Sequence, residues 1–541
     1  MIEDFREVAG AGPVEADLCI VGAGAAGVTL AREFAGARTR VVLLESGGFE
    51  YQPELQALYE GENVGAPYFP LDTTRLRFFG GTTNHWGGSC RPLDPIDFAA
   101  RDWVPGSGWP LDGETLAPYY ERAKSVCGLS SHGFDGRTWT RLGGAPRSPL
   151  SDHVSFSLRQ RAKTPLFGSV YRDELAAAQN VRVLLNANLT DIRTDPGENA
   201  VTRLEVTTLQ GARSQVRARC VVLACGGIEN ARLLLASNGV RPNGVGNSND
   251  LVGRYFMEHL HVYTAEVTPI RKQAFLNAFM ERWDASRQEF IPNLQLSDER
   301  QRRQRLLNAG VRMFLNYSDD GGLNALRHLV WGLKRRQPVD DLDVKLWRIA
   351  RDFDLIAYNA YRQKVEHKFI LPSEDQLKSI AFFVSMEQEP NPDSRITLSD
   401  ERDGLGMRRS RLDWRLGEAD YRTLREVTLT IGAELARAKL GRTTLAPELR
   451  DETNDFPEGF IHGGYHHMGT TRMSDDPKRG VVDADCRVHG LSNLYVAGSS
   501  VFPTAGYSAP TFTIVALALR LADHLKGALR DDGRHAMNLA G

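Results

Sequence analysis

Residues 16–47 read ADLCIVGAGAAGVTLAREFAGARTRVVLLESG, and this stretch decides the fold. Leu18 to Val21 is a short apolar run, the pattern of a strand buried on both faces of a parallel sheet. Gly22, Gly24 and Gly27 follow at G-x-G-x-x-G spacing. The first glycine permits a tight turn, the second lets backbone approach a pyrophosphate, and the third lets the next helix lie close on the strand. That helix, expected at about Ala25 to Phe34, offers free N–H groups and a positive dipole end to phosphate. A second strand, Arg40 to Leu44, ends at Glu45, whose carboxylate suits ribose hydroxyls. Glycine-rich turns alone are weak evidence. With two strands, a helix and a closing acid, the unit reads as a dinucleotide fold.

A second informative region lies far downstream. Residues 465–473 read YHHMGTTRM, and 493–513 read NLYVAGSSVFPTAGYSAPTFT. Between the ends, residues 80–88 read GGTTNHWGG, preceded by Arg75 and Arg77. Paired glycines around small hydroxyl residues make a backbone that can lie flat against a ring. Val181 to Leu185 and Asn188 to Ile192 read as short strands. Cys220 to Ala224 reads as a buried strand running through Gly226 and Gly227 into a helix, Ile228 to Ala236.

Composition sets outer bounds. The 541 residues suit two intertwined domains. A net charge of −2 gives no case for nucleic acid or an anionic membrane as partner. Lys334, Arg335 and Arg336 are too few for a nucleic-acid surface. The opening MIEDFREVAG lacks the apolar core of a signal peptide, and no apolar run reaches membrane-spanning length, so a cytoplasmic setting is expected. Cys19, Cys90, Cys127, Cys220, Cys225 and Cys486 are scattered without metal-ligand spacing.

Taken together, these segments resemble the glucose–methanol–choline (GMC) oxidoreductases. The resemblance rests on Gly22/Gly24/Gly27/Glu45, GGTTNHWGG, ACGGIENARLLL at 224–235, VGRYFMEHL at 252–260 and the two C-terminal blocks, and it covers nearly the whole chain. Histidine–tryptophan after GGTT, with NPDSRITLSDERDGLGM at 391–407, is most similar to pyranose oxidases and bacterial sugar or polyol dehydrogenases. The implied fold is α/β: a Rossmann-like FAD-binding domain with a discontinuous α+β substrate-binding domain on an antiparallel sheet. The implied division is 1–260 for the FAD domain with flavin-covering loops at 61–180, 261–454 mainly for substrate, and 455–541 for the return to the FAD domain. Leu323 to Tyr361 reads as helical and able to cap the pocket.

The resemblance also implies a site. FAD would be held by Gly22, Gly24, Ala25, Gly27, Glu45 and Ser46, then by Gly80, Gly81, Thr82, Asn84, His85, Trp86, Gly87 and Gly88. Leu189, Ala224, Gly226, Gly498, Ser499 and Thr511 complete the set. His85 occupies the place where covalent members bond the flavin; the alternative is packing without a bond. His466 matches the H-x-x-G frame of the family's active-site base. Imidazole suits that task, since an unperturbed pKa of about 6.5 lets it collect a hydroxyl proton as hydride leaves carbon. His467 is expected to point elsewhere.

One departure stands out. Ala509 sits where pyranose oxidases carry asparagine, and a methyl group makes no hydrogen bond. Ser508 is the candidate to replace that contact, with Tyr507 or a polar group of the substrate as alternatives. The expected reaction is oxidation of an alcohol on a sugar, polyol, glycoside or amino sugar, with oxygen or another acceptor taking the electrons. The rival is a non-redox lyase use of the same fold. His259 and His261 read as structural, with no metal, and His462 as a possible lining residue. The acids Asp340, Asp341, Asp343, Asp352 and Asp354 read as a solvated helix face that would favour a cationic substrate only if turned inward.

Overall fold

The computed structural model describes residues 1–144, 150–163, 166–317, 321–335, 340–354, 356–357, 360, 377–450 and 456–538. Two sheets organise it, and a continuous apolar core runs through both. In the first, the strand Val14–Val21 lies parallel between Val41–Leu44 and Arg213–Leu223, with Leu18 opposite both Val41 and Cys220. Leu18, Cys19 and Ile20 are fully buried, as a strand covered on both faces requires. Val181–Leu185 and then Ile2–Asp4 extend the parallel set beyond Val41–Leu44. On the other side, Val201–Thr207 and Asn188–Thr194 add antiparallel, while Leu494–Val496 pairs parallel with the end of Arg213–Leu223.

The helix Ala25–Phe34 follows the first strand through the glycine turn. Gly22 has φ +100°, a conformation that L side chains rarely adopt. A Cβ on Gly27 would come 1.8 Å from the Gly22 carbonyl oxygen, so the helix sits on the turn only because Gly27 has none. Helix Thr511–Asn538 packs on this helix and on Gly113–Val126. The strand starting at Arg213 is longer than its apolar run suggests. Its first residues, Arg213–Val216, pair antiparallel with Val201–Thr207.

The second sheet is antiparallel, in the order Gly441–Leu445, Leu260–Pro269, Leu377–Met386, Ala309–Tyr317, Glu289–Leu296, Val154–Arg161 and Ser89–Cys90. Two of these strands precede residue 261, because the chain crosses to this sheet early and again at Val154–Arg161. Helix Glu418–Arg437 packs against the sheet. Within the stretch expected to be helical at 323–361, Gly322–Arg335 and Leu342–Arg351 are helices, while Tyr361 lies outside the described residues. Asp340, Asp341, Asp343 and Asp354 are exposed, and Asp352 accepts from the Gly322 amide at 2.6 Å. Among the described residues, no helix is long and apolar enough to cross a membrane, and no metal-ligand cluster occurs.

The Gly22–Gly27 contact has a direct test. Gly27→Ala forces backbone apart in a packed turn, and is expected to cost about 3 kcal/mol or more in denaturant unfolding. Gly527→Ala, inside helix Thr511–Asn538 with nothing within 4 Å of its Cβ, is the control expected to cost nothing.

Candidate active site

A cavity of about 710 Å³ runs from the glycine turn to His466, within the range of roughly 300–1,000 Å³ common for small-molecule sites. At its first end, Gly22, Gly24 and Ala25 line the wall. No side chain caps the Ala25–Phe34 helix, so its leading N–H groups are left for a ligand. Glu45 is buried there; its carboxylate accepts from the Ala23 and Gly47 amides, both at 2.9 Å, and burial pushes its pKa up. Ser46, Leu189, Ala224 and Gly226 also line the cavity. Nearby, Glu229 lies within 3.8 Å of Arg75, Arg77 and Arg232. Arg75 Nε and Nη1 and Arg77 Nε are buried donors without an acceptor in the protein, and both residues border the cavity. Uncapped helix, closing acid and spare cationic donors fit the adenosine and pyrophosphate of a dinucleotide.

The middle of the cavity is lined by Gly81, Thr82, His85, Trp86 and Gly87, and by Gly498, Ser499 and Thr511 from the C-terminal block. Gly27, Gly80, Asn84 and Gly88, which were expected to hold the cofactor, do not line it. Gly27 is spent on the helix contact. Gly80 takes φ +95° where a Cβ would meet Gly168 at 2.7 Å. Gly88 takes φ +67° beside Ala162, and the Asn84 amide donates to the Phe79 and Gly81 carbonyls at 3.0 Å. These four shape the loop that its neighbours present.

His466 lines the far end. Its Nδ1 is 2.8 Å from Nδ1 of His259, whose Nε2 lies 3.3 Å from the Ala505 carbonyl. A carbonyl only accepts, so neutral His259 carries its proton on Nε2 and presents a bare Nδ1. His466 must then donate from Nδ1, which leaves its Nε2 with a free lone pair. Burial, then His259, His261, His467 and Arg159, hold the His466 pKa well below the ordinary imidazole value. The ring is therefore neutral, in the tautomer that a proton acceptor needs.

Glu258 fixes this arrangement. One carboxylate oxygen accepts from the amides of His259 at 3.1 Å, Gly464 at 3.0 Å and His466 at 2.9 Å. The other accepts from the Tyr68 hydroxyl. Burial pushes the Glu258 pKa up to about 7, yet every neighbour donates to it, so the cage is built for the ionised form. His467 also lines the cavity, with its Nε2 2.9 Å from the Tyr68 hydroxyl. Tyr465, just before His466, sits at φ +59°, a conformation costly for a non-glycine residue that aims the histidine.

Ser508 is a correction. It is fully buried and outside the cavity lining; its Oγ accepts from Arg91 Nη1 at 2.8 Å and donates to the Pro92 carbonyl at 3.0 Å. Tyr507 is likewise engaged, with its hydroxyl on Ser157 and Gln295. Ala509 does line the cavity. His462 is exposed and stacks on Phe69, while His261 lines the wall, its ring 5.8 Å from that of His466. Sequence reasoning missed Glu258, Tyr68 and Arg159. The Glu-His pair in MEHL was visible, but nothing local shows that it faces YHHMG across an isolated bridge between Met257 and Met468.

Residues 390–518 match the family model described as GMC oxidoreductase. The C-terminal part of this chain is similar to the GMC oxidoreductases. The chain is 26% identical to paromamine 6'-oxidase of Streptomyces fradiae, over 95% of this chain and 92% of that protein. It is 25% identical to 2-methyl-1,2-propanediol dehydrogenase of Mycolicibacterium austroafricanum, over 96% of each. A solved structure of an Aspergillus oryzae RIB40 formate oxidase variant, concerned with FAD modification, shares the fold with a TM-score of 0.55 and 17% identity, over 96% of this chain and 99% of that one.

The caging role of Glu258 predicts that Glu258→Ala leaves the amides of His259, Gly464 and His466 without their acceptor and the Tyr68 hydroxyl with His467 alone. A loss of about 3 kcal/mol or more in unfolding free energy is expected. Tyr68→Phe, which removes one donor and keeps the carboxylate, is expected to cost about 1–3 kcal/mol.

Proposed function

We propose that the protein is an FAD-dependent oxidoreductase that oxidises an alcohol carbon of a sugar, polyol or glycoside to a carbonyl, with His466 as the base. The observation that carries this reading is the His466 tautomer: a neutral imidazole with its free Nε2 on the wall of a cavity that begins at a dinucleotide turn. The GMC oxidoreductase match over 390–518 supports it, as do the names of the oxidase and dehydrogenase relatives. A flavin held by Gly22, Gly24, Glu45, the His85–Gly87 loop and Gly498–Ser499 would supply the hydride acceptor.

The chain's own residues do the rest. His466 Nε2 takes the hydroxyl proton, and His259 keeps that nitrogen bare beforehand. Once protonated, the His466 cation stands beside oxygen-centred negative charge on the substrate, which it stabilises. The neighbouring Arg159 and buried imidazoles make that cation costly, so the proton is returned readily after turnover. Residues 1–260 and 455–541 would form the cofactor domain and 261–454 most of the substrate domain. Six free cysteines accord with a cytoplasmic setting. A lyase reading has only Ala509 in its favour.

Under anaerobic conditions, a sugar or polyol substrate is expected to bleach the flavin band of the holoenzyme. Intact bound FAD that no alcohol bleaches would sink the proposal. His466→Ala is expected to lower kcat/KM by about 10²–10⁴-fold. The depressed His466 pKa keeps the active, unprotonated form populated in mild acid. The acidic limb of the kcat/KM profile is therefore expected below pH 6.5, and a limb at or above 6.5 would contradict the neutral-base assignment. Denaturing mass spectrometry reads the His85 question directly: protein mass plus FAD for a bond, protein mass alone for packing.

A further inference from the structure

Arg159 occupies the strand Val154–Arg161, opposite Ile291, and lines the same cavity as His466, His261, Ser385 and Ala509. Arg159 is partly buried, its Nε is fully enclosed without an acceptor, and among the described residues none of its five donors has a hydrogen-bonding or ion-pair partner. The nearby carboxylates are committed elsewhere. Asp94 holds Arg91, Glu281 holds Arg312 at 2.5 Å, and Glu289 holds Arg161 at 2.6 Å. What Arg159 does have is the Tyr507 ring, 5.5 Å from its Cζ, a neutral face already shared with Arg91 at 4.8 Å. Burial and the charges of Arg91 and Arg312 lower its pKa to about 10, so it stays a cation at neutral pH.

A cation drawn partly out of water without a counter-ion costs free energy, and proteins usually pair or fully expose such groups. Here the unpaired cation stands on the wall of a ligand cavity that Ala509 also lines. We infer that Arg159 is the recognition group for a carboxylate borne by the alcohol substrate, which is thus a hydroxy acid such as a sugar acid. This rests on the proposed function for the carbinol end, which lies at His466. One planar guanidinium matches one carboxylate in a two-bond fork. A phosphate would call for more donors than Ser385 and the neutral imidazoles nearby provide. The acids near residues 340–354 do not oppose this, because none of their side chains lines the cavity. Arg159 also lies near enough to depress the titration of His259, His261 and His466, which places the anion site within reach of the proton acceptor.

The test compares D-glucuronate with methyl D-glucuronate ester, D-glucose and D-glucose 6-phosphate on the holoenzyme, by anaerobic flavin reduction and by calorimetric binding. The acid is expected to exceed its ester and glucose by at least about 30-fold in kcat/KM. Arg159→Gln is expected to collapse that ratio toward one, mainly through KM, while Arg159→Lys retains part of it. Because Arg159 has no partner to lose, Arg159→Gln is expected to melt no lower than the parent, which separates recognition from a structural role. Equal handling of acid and ester by the parent overturns the inference, as does a preference for the phosphate. It is also overturned if Arg159→Gln lowers acid and ester turnover alike while shifting the flavin spectrum, the mark of a cofactor contact. If no compound reduces the flavin but glucuronate binds the parent and not Arg159→Gln, the redox reading fails and the carboxylate site stands.

Discussion

A single buried carboxylate holds the chemical end of this molecule together. Glu258 gathers the amides of His259, Gly464 and His466 and the hydroxyl of Tyr68, so three stretches far apart in the chain meet on two oxygens. Backbone amides in a dry interior must be satisfied, and a negative oxygen satisfies several at once. The YHHMG loop is thereby fixed in one position. Only with that loop fixed can His259 face His466 nitrogen to nitrogen and set its tautomer.

The two sheets supply opposite sides of the cavity for different physical reasons. The parallel sheet offers turn and helix termini, whose unpaired N–H groups favour phosphate and carbonyl oxygens. The antiparallel sheet offers alternate side chains from its strands, among them Arg159, His261 and Ser385. A fixed cofactor would thus be held mainly by backbone and a variable substrate mainly by side chains.

The parts legible in the sequence were those whose constraint is local. Gly22 and Gly27 announce themselves because φ and a 1.8 Å backbone approach admit no other residue. The strands around them show because complete burial demands unbroken apolar runs. His466 was readable from its frame with Gly469, which takes φ +86° against the Tyr255 carbonyl. Ser508 was misread because its direction is decided by Arg91, more than four hundred residues away in sequence. Arg159 was silent for a related reason. In a strand that alternates polar and apolar residues, a cation facing a cavity looks like one facing water. Assigning the second sheet to residues beyond 261 missed Ser89–Cys90 and Val154–Arg161, whose pairing partners lie far downstream.

Trp86, on the cavity wall with its ring set edge-on to Phe167, has an optical consequence. Indole emits in the near ultraviolet, where an oxidised isoalloxazine absorbs, and a flavin bound in this cavity would fall within energy-transfer range of that ring. Energy transfer at such separations is nearly complete, so this side chain would go dark on cofactor uptake. The protein thus carries its own fluorescent gauge of occupancy, readable during reconstitution without any substrate or added label.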